Sequence, residues 1–319
     1  MNEFELIKKY LSKLSSNDKS SLELNDDVFF DKKRRLVISV DTYVEGVHFT
    51  DFHNPDLVIK RIVRSSISDL ICKGVKPKYY FISGSGNKKT FTKKNLEMVS
   101  KSLNQEQKKY SINLCGGDTT FSKKLTFSIT SIGFSDKIVY RNKAKINDDI
   151  YVTGNLGDSF IGLKVLQKKI HLNRNLAKYF RNKYFHPKIH TNITKKLFSF
   201  ANTSIDVSDG LIADLEKLIN NQKLSYIIYL NDIPISKKLN ELIELKITKK
   251  IKALTHGDDY QILFTASPSK SRIISKTSKS LGVKISKIGK ICNHSQKSQI
   301  IDEKNEKITL KNKGYIHRF

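Results

Sequence analysis

The sequence predicts a mixed α/β (α+β) protein built from two domains, and three observations carry that reading. A chain of 319 residues exceeds the usual size of one domain and is long enough for a substantial core. Strand-like apolar runs alternate with stretches of helical apolar spacing in both halves, with no fixed-period repeat. Between the halves lies a polar stretch containing Asn142, Lys143, Lys145 and Asn147. The expected domains are therefore 1–145 and 146–319.

The elements follow in order. Residues 35–41 and 78–83 read as strands. Between them Ile59, Ile62, Val63, Ile67, Leu70 and Ile71 keep helical spacing, and Gly74 and Pro77 end that helix. A polar helix over 91–109 leads to a strand at 111–115, and Leu125 to Phe134 alternates as a further strand. The second half opens with the strand Ile150-Tyr151-Val152 and a turn at Gly154 to Gly157. Helical patterns cover 158–168 and 187–200, and another helix opens at Gly210. Strands at 226–230 and 260–266, a helix over 268–280 and a strand over 284–290 complete the reading.

Composition excludes several classes. Hydrophobic residues at 38% and charged residues at 28% describe a globular chain rather than a disordered or fibrous one. No apolar run approaches the length of a membrane span, and the acidic start Met1 to Leu6 predicts no secretory signal. Cys72, Cys115 and Cys292 lie far apart and form neither a zinc spacing nor a disulfide framework, so a cytosolic protein is expected. The net charge of +27 raises a nucleic-acid reading. The excess is spread, however, at +11 over 1–145 and +16 over 146–319, and 49 of the 58 basic residues are lysine. Readers of base edges favour the arginine fork, so a lysine-coated surface is the preferred explanation.

The acids are more informative. Asp outnumbers Glu by 20 to 11, and the aspartates sit at strand ends and beside glycines rather than on helix faces. Asp26-Asp27 precedes Val28, Asp41 ends an apolar strand, and Asp69 lies within Ile67 to Ile71. Asp118 follows Gly116-Gly117, Asp206 and Asp209 flank Val207-Ser208, and Asp258-Asp259 follows Gly257. Each alone can be read as a turn or cap residue. Together, as hard oxygen donors on separate elements, they also fit Mg²⁺ sites completed by substrate phosphates. Gly84 to Thr90 lacks the phosphate-loop spacing, and the protein-kinase signatures and the GxSxG elbow are missing. His186 and His190 have no accompanying Glu, so a surface helix accounts for them. Gly154 to Ser159 fits either a turn or an anion-binding helix start.

The ordered set Asn25-Asp26-Asp27, Ser39-Val40-Asp41-Thr42, His48, Ser68-Asp69-Leu70, Gly116-Gly117-Asp118-Thr119-Thr120, Asp148 to Gly154, Asp206 to Leu211 and Gly257-Asp258-Asp259-Tyr260 resembles the thiamine-monophosphate kinases. The likeness runs from Glu3-Phe4 to Lys313-Gly314-Tyr315. The resemblance implies the two-domain fold of the aminoimidazole ribonucleotide synthetase-like superfamily, with ATP in the cleft between domains and a homodimer joined through the N-terminal sheets. It implies phosphorylation of thiamine monophosphate to thiamine diphosphate by direct in-line transfer, with no base or nucleophile. Several Mg²⁺ ions would be held by Asp27, Ser39, Asp41, Asp69, Asp118, Asp206 and Asp209, with Val40 offering its backbone carbonyl. Tyr110, Gly117, Asp118, Arg141 and Ser208 would contact ATP, and His48, Asp258 and Tyr315 the thiamine substrate.

Two positions depart from the family pattern. Asn25 stands where Gly is usual, which its tolerance of left-handed backbone would accommodate. Asp258 stands where Glu is usual, one methylene shorter. The alternatives are another ATP-dependent enzyme of the superfamily and a lysine-rich nucleic-acid-binding protein.

Overall fold

The structure, a computed structural model, describes every residue except Arg318, and of Ala253 the backbone only. The N-terminal turn α1 (Glu3–Leu6) is closed by a capping box, in which the Asn2 side chain accepts from the Glu5 amide and the Glu5 carboxylate accepts from the Asn2 amide. Then come β1 (Phe29–Asp31), β2 (Leu36–Val44), α2 (Pro55–Cys72), β3 (Pro77–Gly86), α3 (Lys93–Tyr110), β4 (Asn113–Gly116), β5 (Thr119–Phe121) and β6 (Thr126–Phe134). The chain continues with β7 (Asp149–Thr153), α4 (Asp158–Leu166), α5 (Arg174–Phe185), α6 (Thr194–Leu197), β8 (Thr203–Asp206), α7 (Leu211–Leu218) and β9 (Leu224–Tyr229). It closes with α8 (Lys237–Glu244), α9 (Lys250–Leu254), β10 (Ile262–Ala266), α10 (Ser271–Leu281), β11 (Ile285–Asn293) and β12 (Gln299–Ile301).

Two sheets result. The first runs β1-β2-β6-β3-β4, with β5 continuing along the same side of β3 as β4. The second runs β12-β9-β11-β7-β10-β8. Strands β2 and β6 alternate buried and more open positions, as expected of a sheet with one covered face. Strands β7, β8 and β10 are buried along their whole length, β7 and β10 around apolar runs and β8 with Thr203, Ser204 and Asp206 inside.

Helix α2 lies between the sheets, packing on β2 and β6 of the first and on β8 of the second. Fourteen of its eighteen residues are buried. Its apolar positions join Tyr43, Phe127 and Ile129 to Ile262 and Phe264 in one core that spans both sheets. The placement matters for function, because α2 carries Asp69 between β2 and β8. Among the described residues no helix is long and apolar enough to cross a membrane.

Three sequence expectations are corrected. The helix expected over 187–200 is a short turn, α6, inside irregular chain; the long helix is α5, upstream, and His186-Pro187 ends it. Ile189, Ile193, Leu197 and Phe200 are buried as their spacing suggests, but on turns. His190 is therefore not on a surface helix: it is buried, with Nε2 3.1 Å from the Gln261 amide oxygen. Finally, Asp69 and Asp214 do lie on helices, in α2 and α7.

Candidate functional site

The site is assembled where β2, α2 and the loop after β8 meet. Asp41 and Ser39 come from β2, Asp69 from α2 and Asp206 from the end of β8. Ser39 Oγ donates to Asp69 Oδ2 at 2.5 Å, and the Tyr43 hydroxyl donates to Asp41 Oδ2 at 3.2 Å while accepting from Ser65 Oγ. The Ser68 hydroxyl, close to Asp206, acts to lower the pKa of that carboxyl. Burial pushes Asp41 up to about 7. It also raises Asp69 well above the carboxylate range, with Asp41 and Asp206 adding repulsion. Asp206 is pushed to about 7 by burial and by the charge of Asp214. None of Asp41, Asp69 and Asp206 makes an ion pair with a side chain among the described residues.

Such a set fits a divalent cation: three mutually repelling carboxylates with adjacent hydroxyls need positive charge from outside the chain. The side chains do not form a closed cage; among the described residues no three acids, histidines or cysteines converge on one point. Mg²⁺ characteristically binds through a few carboxylates plus water and phosphate oxygens.

Neighbouring acids are answered from within. Asp27 and Asp26 each lie 2.7 Å from Lys73 Nζ, and the Asp27 carboxylate also pairs with the Arg141 guanidinium. Asp209 pairs with Lys217, which also lies 2.9 Å from Asp214. The Asp214 carboxylate accepts from the backbone amides of Ser208, Asp209 and Gly210 at 2.9 to 3.0 Å. This one buried side chain thus shapes the whole loop that presents Asp206, Ser208 and Asp209.

The loop holding Asp258 packs on the same segment, backbone to backbone. A Cβ on Gly257 would lie 1.6 Å from the Ser208 carbonyl oxygen, so only glycine fits there. The amides of Asp258 and Tyr260 donate to the carbonyls of Ser208 and Val207. Asp258 adopts the left-handed region at φ 73°, an uncommon conformation held by these contacts. Its carboxylate accepts from Arg61 Nη2 at 2.5 Å and from the Tyr260 hydroxyl at 3.3 Å. Arg61, on α2, stacks 3.8 Å over the Tyr184 ring and donates to the carbonyls of Tyr184 and His48.

His48 completes this wall. Its Nδ1 accepts from the Val44 amide at 3.0 Å, which leaves the proton on Nε2. Burial, then the neighbouring His317, holds its pKa below the usual value, so the ring is neutral at pH 7. The rings of His48 and His317 lie 5.4 Å apart, and Tyr315 meets His317 edge-on at 4.9 Å. Tyr315 is fixed by its amide, which donates to the Asp209 carbonyl. His48, Asp258 and Tyr315 therefore share one wall beside the acid set.

Tyr110, Gly117 and Asp118 stand apart. Tyr110 ends α3 near Arg64, which makes a buried two-pronged pair with Glu106. Asp118 is exposed on the β4–β5 loop; its carbonyl accepts from Gly84 and its side chain from Thr119. A Cβ on Gly117 would sit 1.7 Å from the Ile82 carbonyl oxygen, which explains the glycine. Between Asp118 and Asp41 lie β3 and β6, three strand spacings or roughly 14 Å of sheet. Asn25 does not use left-handed backbone either: its φ is −121°, and Leu22 to Leu24 carry the positive angles. The Gly154 to Ser159 helix start is filled by the chain itself, since the Gly157 amide donates to the Asp259 carboxylate at 2.7 Å.

Known proteins are similar to this one over nearly its whole length. Residues 24–135 match the family model described as AIR synthase related protein, N-terminal domain. The thiamine-monophosphate kinase of Buchnera aphidicola subsp. Schizaphis graminum is 35% identical over 323 residues, covering 99% of this chain and 98% of that protein. The chain belongs to the thiamine-monophosphate kinase family. The family enzyme of Haemophilus influenzae is 31% identical, over 91% of this chain and 89% of its own. A solved structure described as AaThiL complexed with AMPPCP and TMP has a TM-score of 0.85 and 25% identity, covering 99% of this chain and 97% of that one. The fold is thus the AIR synthase-like fold of this kinase family.

The sequence reading of this kinase missed Tyr43, Arg61, Lys73, Asp214, Lys217, Tyr260 and His317. Three of them leave a trace. Arg61 is a charge inside the apolar stripe of α2, and Asp214 and Lys217 are three apart just after Asp209-Gly210. Lys73 looks like an ordinary helix-end lysine, and nothing local marks it.

Proposed function

We propose that the protein transfers the terminal phosphoryl group of ATP to the phosphate of thiamine monophosphate, yielding thiamine diphosphate and ADP. Full-length similarity to enzymes of that name supports the reaction. The observation that carries the site assignment is the unanswered acid set Asp41, Asp69 and Asp206 beside the His48–Asp258–Tyr315 wall.

The acceptor is already an ionised phosphate oxygen, so no general base is needed; repulsion between two polyanions is the barrier. Mg²⁺ ions, when bound, neutralise both phosphates and align them for in-line transfer. Asp41, Asp69 and Asp206, with Ser39 and the Val40 carbonyl, would hold them, and Asp209 would add a further contact. Arg141 directs positive charge at the phosphates, oriented by Asp27. The Asp214-shaped loop presents Ser208 to ATP. On the wall, His48 offers Nε2–H as a donor and Asp258 offers an acceptor, which suits a heteroaromatic ring with both kinds of polar atom.

Tyr110, Gly117 and Asp118 enter through assembly. The β4–β5 edge is open and bears Leu114 and Phe121, with Phe81 and Val40 exposed on the same sheet. Exposed apolar strand edges are usually covered. A twofold dimer pairing these sheets would bring a second copy's Asp118 loop toward the acid set. In this reading 1–145 is the metal, ATP and dimerisation domain, 146–319 completes the site, and the enzyme works in the cytosol.

ADP release with Mg²⁺ tests the proposal, comparing thiamine monophosphate with thiamine and aminoimidazole ribonucleotide precursors. Turnover with thiamine monophosphate alone is expected. Preference for a ribonucleotide precursor would move the protein elsewhere in the superfamily. Light scattering at micromolar concentration should give twice 36.6 kDa.

A further inference from the structure

Lys73 caps the C-terminus of α2 and has no exposed surface. Burying an ammonium is costly unless every donor is paired. Here all three are engaged: Nζ lies 2.7 Å from Asp26 Oδ1, 2.7 Å from Asp27 Oδ2 and 2.7 Å from the Ser204 carbonyl oxygen. The remaining oxygens of the two acids are also taken. Asp27 Oδ1 pairs with Arg141 Nη2, and Asp26 Oδ2 accepts from the Arg141 amide. The Asp26 Oδ1 atom also receives the Asp27 amide.

Every oxygen of Asp26 and Asp27 thus faces a donor from the chain, whereas Asp41, Asp69 and Asp206 face hydroxyls. A divalent ion at Asp27 would have to sit beside a buried ammonium and a guanidinium, or expel one of them. On the kinase reading above, we propose that Lys73 is a built-in cation that replaces the divalent ion expected at Asp27. Asp27 then acts as a positioning residue that aims Arg141, and this chain carries one metal position fewer than the resemblance implies.

Counting Mn²⁺ by electron paramagnetic resonance, with a non-hydrolysable ATP analogue present, tests this without relying on turnover. The chain and its Asp27→Asn variant should bind the same number of ions. Lys73→Met, which vacates the ammonium position, should bind one more. Loss of one Mn²⁺ in Asp27→Asn, or an unchanged count in a folded Lys73→Met, would overturn the proposal. If Lys73→Met does not fold, the Asp27→Asn count decides alone. Failure of the kinase reading looks different: the unaltered chain would bind no Mn²⁺ with nucleotide and release no ADP with thiamine monophosphate.

Discussion

Two groups of aspartates lie within one site and differ in what answers their charge. Asp26, Asp27, Asp209 and Asp214 meet Lys73, Arg141 and Lys217. Asp41, Asp69 and Asp206 meet only the hydroxyls of Tyr43, Ser39 and Ser68. In the first group Asp26, Asp27 and Asp214 are complete in the bare chain and fix loops and a guanidinium in place, while Asp209 is paired through one oxygen. The second is incomplete, and burial has already pushed Asp41 and Asp206 up to about 7. The same residue type thus serves as scaffold or as receptor for charge, according to whether a cation lies within reach.

Substitutions separate the two groups, beginning with the receptor set. Asp69→Asn should lower turnover on the order of a thousandfold, by removing an acid that holds charge against the reacting phosphates. In chelator its melting temperature should rise, since folding no longer has to bury an acid whose pKa desolvation and neighbouring acids hold well above the carboxylate range. A fall in melting temperature with activity retained would move Asp69 into the scaffold.

Asp214→Ala should do the opposite. It leaves three backbone amides without their acceptor and the buried Lys217 with Asp209 as its one remaining partner, at a cost of about 3–5 kcal/mol. Thermal unfolding checks this, and an unchanged melting temperature would show that the loop does not depend on it.

A smaller effect is expected at the substrate wall. Asp258→Ala should raise the KM for thiamine monophosphate about ten- to a hundredfold and leave that for ATP nearly constant. Equal shifts in both would make Asp258 a support for Arg61. Asp258→Glu should retain activity if Arg61 can give by one methylene.

The smallest effect concerns a buried neutral group outside both sets. His190 is pushed down to about 4 by burial. The unfolded chain takes up this proton near pH 6.5 and the folded chain does not, so stability falls as pH drops from 6.5 toward 4. His190→Asn should flatten that slope in melting temperature. An unaltered slope would assign acid sensitivity to other groups.

Much of this was legible in the sequence, for identifiable reasons. The strand from Leu36 to Asp41 announces itself as an apolar run, that from Leu125 to Phe134 by alternation, and α2 by its apolar spacing. The pattern over 187–200 misled because burial at every fourth residue does not require a helix, and His186-Pro187 had already closed one. Asp41, Asp69 and Asp206 stand out as acids within apolar runs. Their partners do not, because Lys73 meets Asp26 across 47 positions and Arg61 meets Asp258 across 197. Long-range ion pairs leave no local trace. Likewise, Asp118 belongs to the recognisable set, yet the sheet order keeps it three strands from Asp41.

The hydrogen bond from the Tyr315 amide to the Asp209 carbonyl, with His317 set against His48, bears on how the protein is made. On the ribosome, Asp41, His48 and Asp69 emerge early, Asp206 later, and Tyr315 and His317 last among the site residues. Both sheets can be in place while the substrate wall still lacks its final piece. The closing segment therefore completes the pocket on a surface that the rest of the chain supplies.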